Sequence, residues 1–180
     1  MRRKNALLGA ARMIEAVHAI AVRHAPDAVG TVGLAEVRPN SRNVVPGEVF
    51  FCVDFRHPDE TVLEKMEQDY RAALPVTLEP LGLTFEEKRI WNSPAVRFDA
   101  EMIDCVRRGA AKAGFATRDM VSGAGHDAAY IARVAPTTMI YVPCAGGVSH
   151  NEAESTSFEE CGAGAQVLVQ AVLAYDERFS

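Results

Sequence analysis

Apolar residues recur every three or four positions near the start of the chain and predict an amphipathic helix over residues 3–23. The apolar positions on the shared face are Leu7, Ala10, Ala11, Ile14, Val17 and Ala21. The pattern stops before Pro26, whose ring and missing N–H are incompatible with a helix interior. Since many of these positions are alanine, the helix can pack closely against a neighbour.

The next two segments, residues 29–37 and 48–55, are rich in β-branched and aromatic residues and predict two antiparallel strands. The connection between them, RPNSRNVVPG at residues 38–47, contains prolines, asparagines and a glycine. These residues favour a long irregular loop.

A second helix is predicted from His57 to Pro75, because acids in its first turn are followed by apolar residues at helical spacing. A strand is predicted over residues 76–90. The order helix, strand, strand, helix, strand matches a split β-α-β-β-α-β unit of the α+β class with its first strand absent. The absent strand is expected to be internal, so its loss predicts an oligomer or a rearranged sheet.

The pattern changes near residues 92–98, which predicts one domain over residues 1–95 and another over 96–180. In the second domain we expect a helix over residues 99–113 that ends at Gly114 and a closing helix over 157–175. The short apolar run at 137–142 is typical of a buried parallel strand. The second domain is therefore interpreted as part of an α/β fold.

Composition excludes several classes of partner. The chain has 180 residues, a formal charge of -5 and scattered Lys and Arg, so neither nucleic acid nor an anionic membrane is an expected partner. Four cysteines without a C-x-x-C pair favour reduced thiols in the cytoplasm. No export signal and no membrane-spanning apolar run is recognised. A small molecule or another protein is the expected partner.

His150 is a candidate metal ligand, since it follows a glycine-containing loop at the carboxyl end of the predicted strand 137–142. The alternative is a loop histidine hydrogen-bonded to Glu152 or Glu154. Metal binding requires a ring that neither faces bulk solvent nor is sealed in apolar packing.

Two further places carry candidate binding residues. Gly125 and His126 lie in a glycine-rich loop that could offer backbone N–H groups to an anionic or carbonyl oxygen; a plain helix start with Asp127 as first-turn acid is equally consistent. Asn43 and Arg56 could hold a substrate carboxylate. For Arg56, a salt bridge with Asp54 is the simpler prediction, because the two side chains share a strand face.

Three motifs carry a resemblance to a known family. The first runs from TVG at residues 31–33 through PNSRNVVPG at 39–47 to VDFRH at 53–57, and the others are SGAGHDA at 122–128 and GVSHNEAE at 147–154. Together they resemble the amidase/hydantoinase/carbamoylase group of M20-type metallohydrolases. This group includes N-carbamoyl-L-amino-acid hydrolases, allantoate amidohydrolases and β-ureidopropionases. The likeness covers nearly the whole chain, and it corresponds to about the last half of a family member at ordinary domain sizes.

The resemblance implies an α/β catalytic domain with two divalent metal ions (Zn, Mn, Co or Ni) and an inserted α+β lid that forms a homodimer. His150 matches the last metal ligand, Asn43 and Arg56 match lid residues that hold the substrate carboxylate, and Gly125 with His126 matches a substrate-contacting loop. The other ligands and the glutamate acting as general base would precede this chain. No catalytic residue is therefore assigned here.

The expected function is that of a fragment of a metal-dependent amidohydrolase, which cleaves the C–N bond of N-carbamoyl amino acids or related ureido acids. The isolated chain is expected to be inactive and not to retain the metal pair. The alternative function is a non-catalytic dimerisation or interaction module derived from the same family.

Overall fold

The computed structural model describes residues 3–177, which divide into two compact units between Ala95 and Val96. The first unit contains helix α1 (Ala6–Arg23), strands β1 (Val29–Arg38) and β2 (Glu48–Arg56), and helix α2 (Glu60–Leu78). The second contains helices α3 (Ala100–Ala113), α4 (Ala128–Ile131) and α5 (Phe158–Asp176). Within the described range, no helix has the length and apolar character needed to cross a membrane.

Helix α1 forms as its pattern predicts. The side chain of Asn5 accepts a hydrogen bond from the backbone N–H of Leu8 at 3.2 Å and so caps the first turn. Its buried face carries Met13, Val17 and Ile20, each at most 2% exposed. The predicted first helix is confirmed.

Strands β1 and β2 form an antiparallel hairpin, as predicted. Val32 pairs with Val53 and Leu34 with Cys52, so Gly33 is the extra residue of a β-bulge. Phe51 and Phe55 pack against the core clusters formed by α1 and α2, whereas Phe50 remains half exposed. The hairpin therefore covers the helices with one face only.

Helix α2 corrects the predicted stop at Pro75, because it continues to Leu78 with the proline inside it. The added turn brings Leu78 beside Leu74 in a buried cluster with Met13. Burial of these side chains offsets the backbone hydrogen bond that the proline cannot make. The helix is followed by a single 3-10 turn (Glu79–Leu81), and the chain reverses at Gly82, whose φ is 68°.

The predicted strand over residues 76–90 is wrong. Its first part belongs to α2 and the 3-10 turn, and residues 83–90 have no regular secondary structure and no ladder partner in the described chain. A strand exists only beside another strand, and its neighbour in the split unit would be the absent internal one. The described chain is thus a small α/β fragment with a two-stranded sheet, and the complete split β-α-β-β-α-β unit is not formed.

Side chains of α2 hold the segment 83–90 in place. Arg71 Nη2 lies 3.2 Å from Glu87 Oε1 and 2.8 Å from Glu67 Oε1, and Arg89 forms an ion pair with the same Glu67. Leu83 packs against the cluster that contains Leu78. The segment is therefore ordered by helix contacts rather than by a sheet.

In the second unit, α3 and α5 pack directly against each other. Gly109 lets the backbones approach closely, because a Cβ built there would lie 2.9 Å from the backbone N of Ala171. Asp99 caps α3, Gly114 ends it at φ 80°, and Ser157 forms a capping box with Glu160 at the start of α5. Both long helices predicted for this half are confirmed within a residue.

The predicted parallel strand over residues 137–142 is wrong. These residues have no regular secondary structure, are mostly half-buried and pair with no strand in the described chain. Val142 lies against α5, where a Cβ at Gly164 would meet its Cγ1 at 2.6 Å. A parallel strand needs hydrogen-bonded neighbours on the sheet, so an apolar run without such neighbours does not form a strand.

Candidate functional site

The loop that carries His150 lies between the apolar segment 137–142 and helix α5, and it contains a 3-10 turn (Ala145–Gly147). Its two ends are tied together. The backbone N–H of Ala145 donates to the carbonyl of Ser155 at 2.7 Å, and the hydroxyl of Thr156 donates to the carbonyl of Pro143 at 2.7 Å. The loop therefore projects as a closed, hydrogen-bonded unit.

His150 has a left-handed backbone, with φ 56°, and is the sole non-glycine residue with positive φ in the range that the structure describes. Such a conformation is disfavoured for residues with a Cβ. One carboxylate oxygen of Glu154 accepts a hydrogen bond from the backbone N–H of His150 at 2.8 Å. This bond compensates for part of the conformational cost.

The ring of His150 is held on one side. Ser149 Oγ lies 3.0 Å from Nδ1, which leaves Nε2 as the nitrogen available to a ligand. The alternative of a ring bonded to Glu152 or Glu154 is not observed, because Glu154 bonds the backbone N–H of the residue instead.

His150 is exposed, contrary to the enclosure expected of a metal ligand. Among residues 3–177 no group of three or more His, Cys, Asp or Glu side chains could hold a metal ion. The residues of the described chain thus do not by themselves fit a metal pair. His150 offers one suitable nitrogen for a shared site.

His126 lies in a second polar cluster. Its Nε2 is 2.8 Å from Ser122 Oγ and also 2.8 Å from the hydroxyl of Tyr141. The two rings are 5.8 Å apart in an edge-to-face arrangement. Tyr141 was not among the predicted site residues, because fifteen positions separate it from His126 and no local pattern connects them.

The structure of the glycine-rich loop before α4 agrees with only part of the predicted helix start. Residues 128–131 form a single helical turn, as anticipated, but the side chain of Asp127 makes no capping hydrogen bond. Gly125 has open space around its Cα, because a Cβ added there would meet nothing within 4 Å. Close backbone approach within the chain therefore does not explain this glycine, and its substrate contact stays a prediction.

Arg56 makes the predicted salt bridge. Its Nη2 lies 2.6 Å from Asp54 Oδ2, and Nε bonds the same carboxylate. This carboxylate raises the pKa of Arg56 further above its ordinary value. The predicted carboxylate-binding group is therefore already occupied by an anion.

Asn43 is not close to Arg56. It lies in the loop at one end of the hairpin, where its Oδ1 accepts a hydrogen bond from Ser41 Oγ at 3.0 Å. Arg56 is the last residue of β2, at the other end. At about 3.4 Å per residue, β2 alone is about 27 Å long. The hairpin therefore separates the two predicted carboxylate-binding residues by far more than the size of a carboxylate.

Comparisons with known proteins agree on one family. The profile of peptidase family M20/M25/M40 matches residues 4–174. An N-carbamoyl-L-amino-acid amidohydrolase of Rhizobium meliloti is 47% identical over 171 residues, covering 95% of this chain and 41% of the relative. The allantoate amidohydrolase of Bacillus subtilis (strain 168) is 35% identical over 178 residues, covering 96% and 42%.

A solved structure shows the same fold. The amidase of the hydantoinase/carbamoylase family from Burkholderia multivorans superposes with a TM-score of 0.90 at 48% identity, covering 96% of this chain and 42% of that chain. The present chain thus spans about two fifths of the length of these relatives. With a family profile matched from residue 4 to residue 174, the chain belongs to peptidase family M20/M25/M40.

Proposed function

We propose that this chain is part of a metal-dependent amidohydrolase that cleaves the C–N bond of N-carbamoyl amino acids or related ureido acids. The observation that carries the proposal is the 47% identity to the Rhizobium meliloti N-carbamoyl-L-amino-acid amidohydrolase over 95% of the chain. The range matched by the family profile, residues 4–174, contains the three motifs around Arg56, His126 and His150.

His150 is assigned one place in the metal site. Ser149 engages Nδ1, so Nε2 is the nitrogen that would face a Zn, Mn, Co or Ni ion. Two divalent ions in the complete enzyme would activate water and polarise the scissile carbonyl. The remaining ligands and the general base would come from the three fifths of the relatives' length that the chain does not span. The chain alone is expected not to retain the metals.

Asn43 and Arg56 are assigned to the substrate carboxylate. Because they lie at opposite ends of one hairpin, a single carboxylate can contact both only when they come from two copies of the chain. Arg56 would exchange Asp54 for the substrate, an exchange that is easy for a half-exposed pair in contact with water. Gly125 and His126 would contact the rest of the substrate.

The two units are assigned different tasks on this proposal. Residues 1–95 act as the lid and dimerisation domain, and residues 96–180 as part of the catalytic domain. Helix α5 supports a larger assembly, because apolar residues on several sides of it are exposed, including Leu168, Val169 and Val172. A helix that is apolar all round is normally covered by protein.

The decisive experiment is a chimaera in which this chain replaces the matching segment of the Rhizobium meliloti relative. With Mn, Co or Zn we expect hydrolysis of N-carbamoyl-L-amino acids, and loss of at least about a hundredfold in kcat/KM in the His150→Ala chimaera. The chain alone serves as the negative control. A folded chimaera that binds metal yet hydrolyses no ureido acid would refute the proposal.

A second candidate is a non-catalytic dimerisation module. It is favoured by the exposed ring of His150 and by the lack of a three-ligand group in residues 3–177. The same chimaera discriminates the two functions. A dimer that is inactive and indifferent to His150→Ala supports the module, whereas activity that depends on His150 supports the enzyme.

A further inference from the structure

The ring of His126 is bound through one nitrogen only. Nε2 lies 2.8 Å from two hydroxyl oxygens, those of Ser122 and Tyr141. The other nitrogen, Nδ1, has no hydrogen-bond partner among residues 3–177. A neutral imidazole carries one N–H, so the protons of the two hydroxyls decide which nitrogen bears it.

Both hydroxyl groups have an interaction besides the one with Nε2. Ser122 Oγ accepts a hydrogen bond from the backbone N–H of Ala124 at 3.2 Å, and the Tyr141 hydroxyl is directed at Met139 Sδ at 3.5 Å as a donor. Each oxygen then has a lone pair to offer towards Nε2. One N–H on Nε2, shared between the two oxygens, gives each of them a donor and leaves the Tyr141 O–H in contact with Met139 Sδ.

We propose that Ser122 and Tyr141 hold His126 in the Nε2–H tautomer, so that its bare Nδ1 accepts a hydrogen bond from an N–H of the substrate. This assignment rests on the proposed function for the identity of the substrate. Ser122 and Tyr141 are positioning residues, and His126 is the residue that contacts the ligand.

The proposal specifies the chemical class that the loop selects. A ureido or amide group has N–H donors beside its carbonyl, whereas the corresponding ester or acid lacks them at that position. An ester or acid would leave the Nδ1 acceptor of His126 without a donor, and an unpaired acceptor in a half-buried place weakens the binding of that ligand. His126 would therefore discriminate for nitrogen substituents rather than for the carbonyl, which every such substrate shares.

The test is a long-range ¹H–¹⁵N spectrum of the imidazole rings in the intact chain at about pH 8.5, where unperturbed imidazoles are neutral. The signals of His126 are identified by their loss in His126→Gln. We expect a protonated Nε2 and an unprotonated Nδ1. Tyr141→Phe should shift the tautomer ratio by about fivefold towards Nδ1–H, the change typical of one lost hydrogen bond.

Tyr130→Phe is the matched control, because Tyr130 is exposed and contacts Arg133 rather than His126. Ser122→Ala provides a second variant in case Tyr141→Phe disturbs folding, and it should shift the ratio in the same direction. A dominant Nδ1–H form in the wild-type chain, or a ratio unchanged in both variants, would overturn the proposal. The spectrum is recorded without metal or substrate. The tautomer can therefore differ from the expected one while the chimaera is active, and it can match while the chimaera is inactive.

Discussion

Glu154 Oε2 accepts a hydrogen bond from the backbone N–H of His150 at 2.8 Å, and the residue that receives this support has the left-handed φ of 56°. The carboxylate therefore acts on the backbone of the histidine rather than on its ring. Because the backbone conformation sets where the Cα–Cβ bond of His150 points, Glu154 is expected to position this candidate ligand without touching a metal ion.

Glu154→Ala should release His150 from its left-handed conformation and, in the chimaera, weaken metal binding about tenfold to a hundredfold. The conformation can be followed by the HN–Hα coupling of His150, and metal affinity by calorimetry. Glu152→Ala is the matched control on the same exposed loop and should change neither quantity. An unaltered coupling in Glu154→Ala would show that the loop is fixed by its closed base alone.

Gly109→Ala should destabilise the second unit. The new methyl group would lie 2.9 Å from the backbone N of Ala171, so α3 and α5 must separate. We expect the free energy of unfolding to fall by about 2 kcal/mol, as overpacked sites do. Gly162→Ala on α5 meets nothing within 4 Å and should raise stability by about 0.5–1 kcal/mol. Urea titration measures the free energy of unfolding of both variants. Changes of the same sign in the two variants would contradict the packing of α3 against α5 described above.

Pro75→Ala should stabilise the first unit, because alanine restores a backbone N–H inside α2. The expected gain in the free energy of unfolding is about 1 kcal/mol, after allowance for the greater freedom of the unfolded chain. Pro80→Ala is the control, because this proline opens the 3-10 turn and its missing N–H is not needed there. A loss of stability in Pro75→Ala would mean that the helix depends on the proline.

Acid should weaken the contact between α1 and α2. The Arg23 guanidinium, helped by Lys65, lowers the pKa of Asp69 below its ordinary value of 3.8. A lowered folded-state pKa means that the stabilisation is complete above the unfolded pKa and disappears as the pH falls through the folded one.

Asp69→Asn should therefore lower the urea midpoint at neutral pH and flatten its dependence on pH below about 4. Asp27→Asn, at an exposed position, is the control for the loss of one negative charge. If the urea midpoints of the wild-type and Asp69→Asn chains fell equally as the pH is lowered below about 4, the role given to this ion pair would be contradicted.

The isolated chain should associate at high concentration, because strand edges and the apolar sides of α5 are exposed. Light scattering should show an oligomer. Val169→Lys with Val172→Lys should reduce the association if α5 mediates it, and Thr84→Lys with Glu86→Lys on the unpaired segment serves as the comparison. A monomer at high concentration would contradict the prediction.

Sequence reasoning located the elements whose signals are local. The helices around Met13 and Cys105 follow from periodicity and caps, and the hairpin follows from β-branched residues on both sides of a breaker-rich loop. The predicted strands at 76–90 and 137–142 do not form, because a strand needs hydrogen-bonded neighbouring strands and the described chain supplies none at these places. The predicted helix end at Pro75 is wrong because burial of Leu78 outweighs the preference of proline against a helix interior.

In the candidate site, too, only contacts between residues close in sequence could be predicted. The Arg56–Asp54 salt bridge was predictable, since residues two apart share a strand face. The contact between Tyr141 and His126 was not, because it joins two loops that only the folded unit brings together. The left-handed backbone of His150 could not be predicted either, because histidine adopts positive φ at only a small share of its positions and nothing in the local sequence marks this one.

The ion pairs of Glu67, Arg71 and Glu87 have a consequence for assembly. Ordering a residue costs about 1–2 kcal/mol of backbone entropy, and the stretch from Leu83 to Ile90 has lost that freedom before any ladder exists. A polypeptide that added itself alongside would need to order only its own backbone. Docking of a further strand beside this stretch would therefore cost less backbone entropy than docking onto a segment without such contacts.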